Sequence, residues 1–213
     1  VIFPQISSWH SESNYDRIGS VISHSILPAT FLVIPGVAGA IAVGEQLLRL
    51  LYGPEFVVAA VPLVILISDK VVNAVYAVFK HSLNAIDRPD LSAKWRLIAL
   101  GVNLSLNFVL IPTYGIVGAA IATLFSTVVD LALHYYSLSD RVTIRMPYGS
   151  LIWCTVSAGL MYAVIKLSGV GYGVDSVPKL VIVILTSGIL YIVLVFLSPS
   201  VREDARTMVY EFR

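Results

Sequence analysis

The sequence predicts an all-α fold, a polytopic bundle of about six membrane-spanning helices. Of its 213 residues, 57% are hydrophobic and only 13% are charged, and the mean hydropathy is +0.86. Soluble domains carry about 25% charged residues, so most of this surface must face a solvent that accepts apolar groups. Six segments also reach the roughly 20 mainly apolar residues that a spanning helix requires.

The predicted spans follow one another through short connections rich in Gly, Pro and Asp, which leave no room for a soluble domain. They are Ile18–Val43, Pro54–Ile86, Ala93–Ile111, Gly115–Leu138, Pro147–Leu167 and Lys179–Leu197. The first span contains Pro28 and Pro35. We expect a kink there, because a proline inside a helix removes a backbone hydrogen bond.

The basic residues of the connections predict an orientation. Alternate connections form two sets, of which one holds nine Lys and Arg residues and the other only Arg49 and Lys179. The nine are Arg17, Arg88, Lys94, Arg96, Arg141, Arg145, Arg202, Arg206 and Arg213. Since basic residues concentrate in cytoplasmic loops, both chain ends are expected in the cytoplasm, as an even number of spans requires.

Two amphipathic pieces flank the predicted bundle. In the tail, Val201, Ala205, Met208, Val209 and Phe212 recur at helical spacing, which indicates a helix lying in the membrane interface. The leucines around Arg49 could likewise lie along the outer surface. The alternative, that each piece extends a spanning helix, is equally compatible with the pattern.

Polar residues inside the spans are the candidates for function, because an ionisable group there costs about 2.5–3.5 kcal/mol on insertion scales. Those of the second span share one helical stripe, and Lys70 and His81 lie on an adjacent stripe. The third span adds two asparagines one turn apart, and the fourth adds Thr123, Ser126 and two ionisable groups. The candidate cavity-lining residues are Asp69, Lys70, Asn73, Tyr76, Lys80, Asn84, Asn103, Asn107, Asp130 and His134.

Two roles are open for these residues. They could line a polar cavity for a head group or a coupling ion, or they could hold the helices together by interhelical hydrogen bonds. The stripe on the second span favours the cavity because so many polar groups share one face. Asn103 and Asn107 fit the structural role better.

The short hairpins give relative depths. Reflection about the Arg88-Pro89 turn places Lys80 level with about Leu97, and reflection about Thr113-Tyr114 places Asp130 at the same level. We therefore expect Lys80 and Asp130 to pair or to share a hydrated cavity. The same construction places Asp69 near the level of Asn107, and Asp69 could bind Na⁺ or a proton, or be neutralised by Lys70 or Lys80.

Other classes of site have no support in the sequence. The single cysteine, Cys154, excludes a disulfide framework and a multi-cysteine metal site. Four scattered histidines make no metal site, and no metalloprotease, Walker or nucleophile-elbow motif is present. The chain opens Val-Ile-Phe-Pro, without a signal peptide or an initiator Met, and we expect a fragment or a truncated protein.

Several motifs carry a family resemblance. They are LLYGPEF (Leu50 to Phe56), NLSLNFVLIPTYGIVGAAIAT (Asn103 to Thr123), the opening FPQIS with Tyr15-Asp16-Arg17, and the Asp87-Arg88-Pro89 loop. Together they resemble the C-terminal half of polysaccharide flippases of the multidrug/oligosaccharidyl-lipid/polysaccharide exporter superfamily. The resemblance covers most of the chain to about Leu138 and is weaker beyond it.

The resemblance implies a function in polysaccharide biosynthesis. Family members move lipid-linked oligosaccharides across the cell (cytoplasmic) membrane by alternating access between two lobes, without covalent chemistry. No catalytic residue, metal or cofactor is therefore expected, apart from a coupling ion, Na⁺ or H⁺. The implied organisation is a preceding helix end and cytoplasmic loop (1–17), four helices of a C-terminal lobe (18–138), two additional transmembrane helices (139–197) and a cytoplasmic amphipathic tail (198–213).

The N-terminal lobe of such a flippase has no counterpart in this sequence. The expected partners are membrane lipids, a lipid-linked sugar and either a separate N-terminal half or a second copy of the chain; no nucleic acid is expected at a net charge of +1. A second hypothesis is a non-transporting scaffold, or an inactive remnant, that associates with glycan-assembly proteins. A membrane-embedded enzyme is a third, but it would need an acidic or histidine cluster at the interface.

Overall fold

The computed structural model describes residues 15–168 and 174–204. These ranges contain six α-helices, one 3₁₀ helix (Pro54–Ala59), a further helical stretch at 199–204 and the connections between them, and there is no strand in the described residues. The α-helices are α1 (Tyr15–Phe31), α2 (Val33–Leu51), α3 (Ala60–Ala85), α4 (Pro89–Ser139), α5 (Tyr148–Leu167) and α6 (Val177–Phe196). The predicted all-α class is confirmed.

Four helical stretches of the described chain are long and apolar enough to cross a membrane. They are Tyr15–Leu51, Pro89–Ser139, Tyr148–Leu167 and Val177–Phe196. The second of them makes two passes, because α4 reverses direction at Gly115. Helix α3 has 26 residues and carries three charged side chains, and it is not among the four.

The first predicted span is one bent rod built from α1 and α2. Leu32 interrupts the helix between Pro28 and Pro35, at the place where the prolines predict a kink, although Leu32 itself keeps helical φ and ψ. The predicted end at Val43 is wrong, since α2 continues to Leu51. The leucines around Arg49 therefore extend the spanning helix, which was one of the two alternatives.

Helix α4 is a helical hairpin whose two arms are residues 89–114 and 116–139. Gly115 has φ 57° and ψ −133°, a backbone conformation that residues with a Cβ rarely adopt. A Cβ on Gly118 would lie 2.2 Å from the carbonyl oxygen of Leu110, so only glycine permits the arms to approach this closely. The predicted turn between the third and fourth spans is confirmed.

The apolar core has two parts. Ile22, Phe79 and Leu138 represent the first, between α1, α3 and α4; Val43 and Met161 represent the second, between α2, α5 and α6. Large apolar side chains elsewhere point outward, as expected of a surface in contact with lipid.

The last described residues, 199–204, are helical. Of the predicted amphipathic tail, only Val201, Arg202 and Glu203 fall within this stretch, and Val201 is buried. The other tail residues of that prediction, from Ala205 onward, lie outside the described residues, so the interfacial helix stays a prediction.

Candidate functional site

The register of the α4 hairpin brings a polar cluster together. The arms run antiparallel, so that Ser92 lies opposite His134, and Asn103 lies opposite Ser126. The same register places Arg96 against Asp130. Two residues separated by 34 positions in sequence thus meet within hydrogen-bond distance inside the bundle.

Asp130 is the centre of this cluster. Its side chain has no solvent exposure, and Arg96 Nη1 donates a 3.0 Å hydrogen bond to its Oδ2. The Arg96 side chain itself is 65% exposed. Because a buried carboxylate without a partner is costly, this pairing explains how Asp130 can stay charged at its depth.

His134 shares the buried position of Asp130 and closes the cluster on the other side. Its Nδ1 lies 3.1 Å from Asp130 Oδ1 and 2.9 Å from the carbonyl oxygen of the same residue. Its Nε2 lies 3.2 Å from Ser92 Oγ. The Nδ1 contact with the carbonyl fits a proton on that nitrogen, and Nε2 and Ser92 Oγ form a second hydrogen bond. Asp130 Oδ1 has no hydrogen-bond partner within the described chain.

Helix α3 contributes Tyr76 to this cluster. The tyrosine ring meets the His134 ring edge-on, with centroids 5.1 Å apart and an interplanar angle of 86°. The Arg96 guanidinium carbon lies 6.0 Å from the Tyr76 ring centroid, at the limit of a cation–π contact. Tyr76 therefore belongs to the cluster.

The predicted ion pair of Lys80 with Asp130 is wrong, whereas the alternative, that the two residues share a hydrated cavity, stays a prediction. Asp130 pairs instead with Arg96, because the two arms of one hairpin are held in register by the tight turn. Lys80 is half-buried and has no ion pair within the part of the chain described here. The sequence contained the signal, since reflection about Thr113-Tyr114 places Asp130 level with the neighbour of Arg96.

Three other side chains of the α3 stripe make no polar contact with the described chain. Asn73 and Lys80 are half-buried and Asn84 is exposed. Within residues 15–168 and 174–204, none of these three side chains makes a hydrogen bond. They flank Tyr76 on one helix face and are available to a molecule outside this chain.

Asp69 lies nearer the opposite end of α3. Its side chain is 2% exposed, and Oδ2 accepts a 3.0 Å bond from Lys70 Nζ, whose side chain is 62% exposed. Lys70 thus neutralises Asp69, one of the alternatives that the sequence left open. Asp69 Oδ1 is buried without a hydrogen-bond donor among the described residues.

The two asparagines of α4 form a short chain of hydrogen bonds. Asn107 Nδ2 donates to Asn103 Oδ1 at 2.9 Å, and Asn103 Nδ2 donates to Ser126 Oγ at 3.1 Å. The second bond joins the two arms, which agrees with the structural role predicted for Asn103. In the described ranges there is no group of three His, Cys, Asp or Glu side chains that could hold a metal ion.

Comparison with known proteins shows which sequence family this chain matches. The family model described as lipid II flippase MurJ matches residues 1–198. The chain is 38% identical over 204 residues to the probable low-salt glycan biosynthesis flippase Agl15 of Haloferax volcanii, covering 96% of this chain and 43% of Agl15. It is 32% identical to the probable flippase AglR of the same organism, covering 98% of this chain and 44% of AglR.

A solved structure shows the same fold. Lipid II flippase MurJ in an inward closed conformation aligns with a TM-score of 0.72 at 18% identity, over 91% of this chain and 41% of that one. The chain therefore spans less than half the length of the relatives that it matches. On the extent of the sequence matches, the chain belongs to the MurJ family of flippases.

Proposed function

We propose that this chain forms the C-terminal part of a flippase that moves lipid-linked oligosaccharide or polysaccharide precursors across the cell membrane. The observation that carries the proposal is the match of almost the whole chain to relatives named as flippases, together with a shared helical fold. Translocation needs no covalent step, so we propose no catalytic residue and no organic cofactor.

The polar stripe of α3 supports a cavity role. Asn73, Lys80 and Asn84 offer donors and acceptors that no described residue uses. Arg96 is fixed through one nitrogen by Asp130 and keeps the rest of its guanidinium exposed. A guanidinium and an ammonium in a low-dielectric setting favour a phosphate-containing head group, and the amides suit sugar hydroxyls.

A single lobe cannot give alternating access, which requires one bundle to rock against another. We propose that the opposing lobe comes from the part of the relatives that this chain does not span, or from a second copy. The division into a four-helix lobe (18–138), two additional helices (139–197) and a tail (198–213) belongs to the same proposal.

We propose that both ends of the described chain face the cytoplasm. Successive passes through the bundle run in opposite directions, so that one end of the bundle holds residues 15, 88, 141, 145 and 202. Most of the basic residues lie at this end, as expected of the cytoplasmic side. Cysteine labelling tests this, because the native Cys154 is fully buried. An impermeant maleimide should label Asp140→Cys from the cytoplasmic side and Glu55→Cys from the other side; the reverse pattern would refute the orientation.

Transport itself is tested in vesicles that contain this chain with the complementary part of a relative, and with this chain alone. Fluorescent lipid-linked oligosaccharide added to one leaflet should become accessible in the other only when both parts are present. The Na⁺ gradient is collapsed in one set of vesicles and the proton gradient in another. The driving ion is the one whose gradient is needed for translocation.

The matched variants for this assay are Lys80→Gln, in the stripe, and Arg88→Gln, in an exposed loop ion pair with Asp90. We expect Lys80→Gln to lower the initial rate about tenfold, the equivalent of about 1.4 kcal/mol, and Arg88→Gln to leave it unchanged. If every combination fails to translocate the lipid while the proteins remain folded, the scaffold hypothesis replaces the flippase.

A further inference from the structure

Two adjoining cavities lie at the end of the bundle where α1 and α5 begin and α6 ends. The first, of about 630 Å³, is lined by polar and charged side chains of α1, of the α4–α5 connection and of Asp204, together with Met146 and Pro147. The second, of about 200 Å³, is almost entirely apolar. They share Ser23, His24, Pro147 and Asp204, so that one continuous space has a polar half and an apolar half.

The polar half is a built feature of the fold. Gly19 lets the connection pack directly on α1, since a Cβ there would lie 2.4 Å from the carbonyl oxygen of Thr143. The backbone N–H of Arg145 donates a 2.9 Å bond to Ser23 Oγ. Ser150 Oγ donates to Asp204 Oδ2, which ties the tail to the start of α5.

Charges of both signs face this space. The Arg145 guanidinium and the Asp16 carboxylate have no partner among the described residues, and within the same residues Asp204 accepts a bond only at Oδ2. His24, on the adjoining turn of α1, lies 3.4 Å from Ser20 Oγ. The polar half therefore complements a head group with one anionic and one cationic centre.

The apolar half leads away from these charges along α1. Leu27, Pro28 and Phe31 form one wall, and Phe196 and Val201 form the other. A hydrocarbon chain that moves from the bilayer into this apolar half leaves no water behind, so it gains only packing contacts. The head group must therefore supply the specificity, and the apolar half sets the orientation of the bound molecule.

We propose that this space is a binding site for a zwitterionic phospholipid of the surrounding bilayer, distinct from the transported lipid. The phosphate lies at Arg145, the ammonium lies between Asp16 and Asp204, and one hydrocarbon chain follows the α1 wall. The bound lipid joins α1, the α4–α5 connection and Asp204, and adds to the hydrogen bonds that Ser23 and Ser150 already make there.

Native mass spectrometry of the purified chain tests the site with phosphatidylethanolamine as the probe. Wild-type protein should retain one lipid after detergent exchange, and Arg145→Gln should weaken retention about tenfold, as expected for loss of a charge-assisted hydrogen bond. Arg141→Gln, four residues earlier in the same connection and absent from the cavity lining, is the matched control and should retain the lipid. Equal retention by wild type and Arg145→Gln would overturn the proposal.

A second comparison tests the zwitterionic head group. Phosphatidylglycerol has the phosphate but no ammonium, so it should bind more weakly than phosphatidylethanolamine, and Asp16→Asn should remove the difference. Asp16 is exposed, so this variant does not endanger the fold. Equal binding of the two lipids to wild type, or competition by soluble phosphoethanolamine as strong as that by the whole lipid, would contradict the proposed site.

Discussion

Tyr191 Oη donates a 2.9 Å hydrogen bond to the carbonyl oxygen of Phe31, four residues before Pro35. In a regular helix that carbonyl would accept from the N–H of residue 35, which proline lacks. Helix α6 therefore supplies the donor that the α1–α2 break removes. The Phe31 and Tyr191 rings also pack with centroids 5.6 Å apart. Helix α6 thus stabilises the α1–α2 break by a hydrogen bond and by a ring contact.

Tyr191→Phe should destabilise the chain by about 1 kcal/mol, because the partly buried Phe31 carbonyl then loses its donor. Unfolding in mixed micelles by added SDS measures the change. Pro35→Ala restores an N–H at the right position, so the cost of Tyr191→Phe should largely vanish in the Pro35→Ala background. An unchanged cost in that background would show that the hydrogen bond is not the cause.

Arg96→Gln should cost roughly 3 kcal/mol, since it leaves the Asp130 carboxylate buried without its cation. Asp130→Asn should cost less, because it removes the charge together with the need for a partner. The same unfolding measurement applies to both variants. Lys80→Gln is the control that separates an Arg96–Asp130 pair from a Lys80–Asp130 pair. It should change stability by less than about 0.5 kcal/mol. A loss comparable to that of Arg96→Gln would show that Lys80 is the partner of Asp130.

Gly118→Ala should disrupt the α4 hairpin, because its Cβ would overlap the Leu110 carbonyl group and the arms would have to separate. We expect a loss of about 3 kcal/mol, the upper part of the range for overpacking. Gly101 lies in the first arm with nothing near the position of a Cβ. Gly101→Ala should therefore be neutral or stabilise by up to about 1 kcal/mol, and equal losses for both glycines would contradict the close approach.

Asn103→Ala and Asn73→Ala should separate structure from transport. Asn103 joins the two arms of α4, so its loss should lower stability by about 0.6 kcal/mol, a typical value for a hydrogen bond between membrane helices. Asn73 makes no hydrogen bond within the described chain, and its loss should leave stability unchanged while slowing lipid translocation. If Asn73→Ala destabilises and transports normally, the stripe is structural.

Several features followed from local rules that the sequence obeys on its own. Long apolar runs can only be helices in lipid, because every backbone group must bond within the segment. Pro28 and Pro35 predicted the α1–α2 break, and the segment from Pro112 to Gly115 predicted the turn of the hairpin. Proline restricts the backbone and glycine frees it, wherever they occur in a chain. The polar stripe of α3 was visible for the same reason, because helical periodicity fixes which residues share a face.

Tertiary structure alone decided which polar groups meet. Depth along a helix can be estimated from hairpin lengths, but the rotation of one helix against another comes from packing, here from Gly118 on Leu110. That rotation places Asp130 against Arg96, and it leaves Lys80 without an ion pair among residues 15–168 and 174–204. The donor for the Phe31 carbonyl was equally invisible in the sequence, because Tyr191 lies 160 residues away and only the folded bundle brings it close.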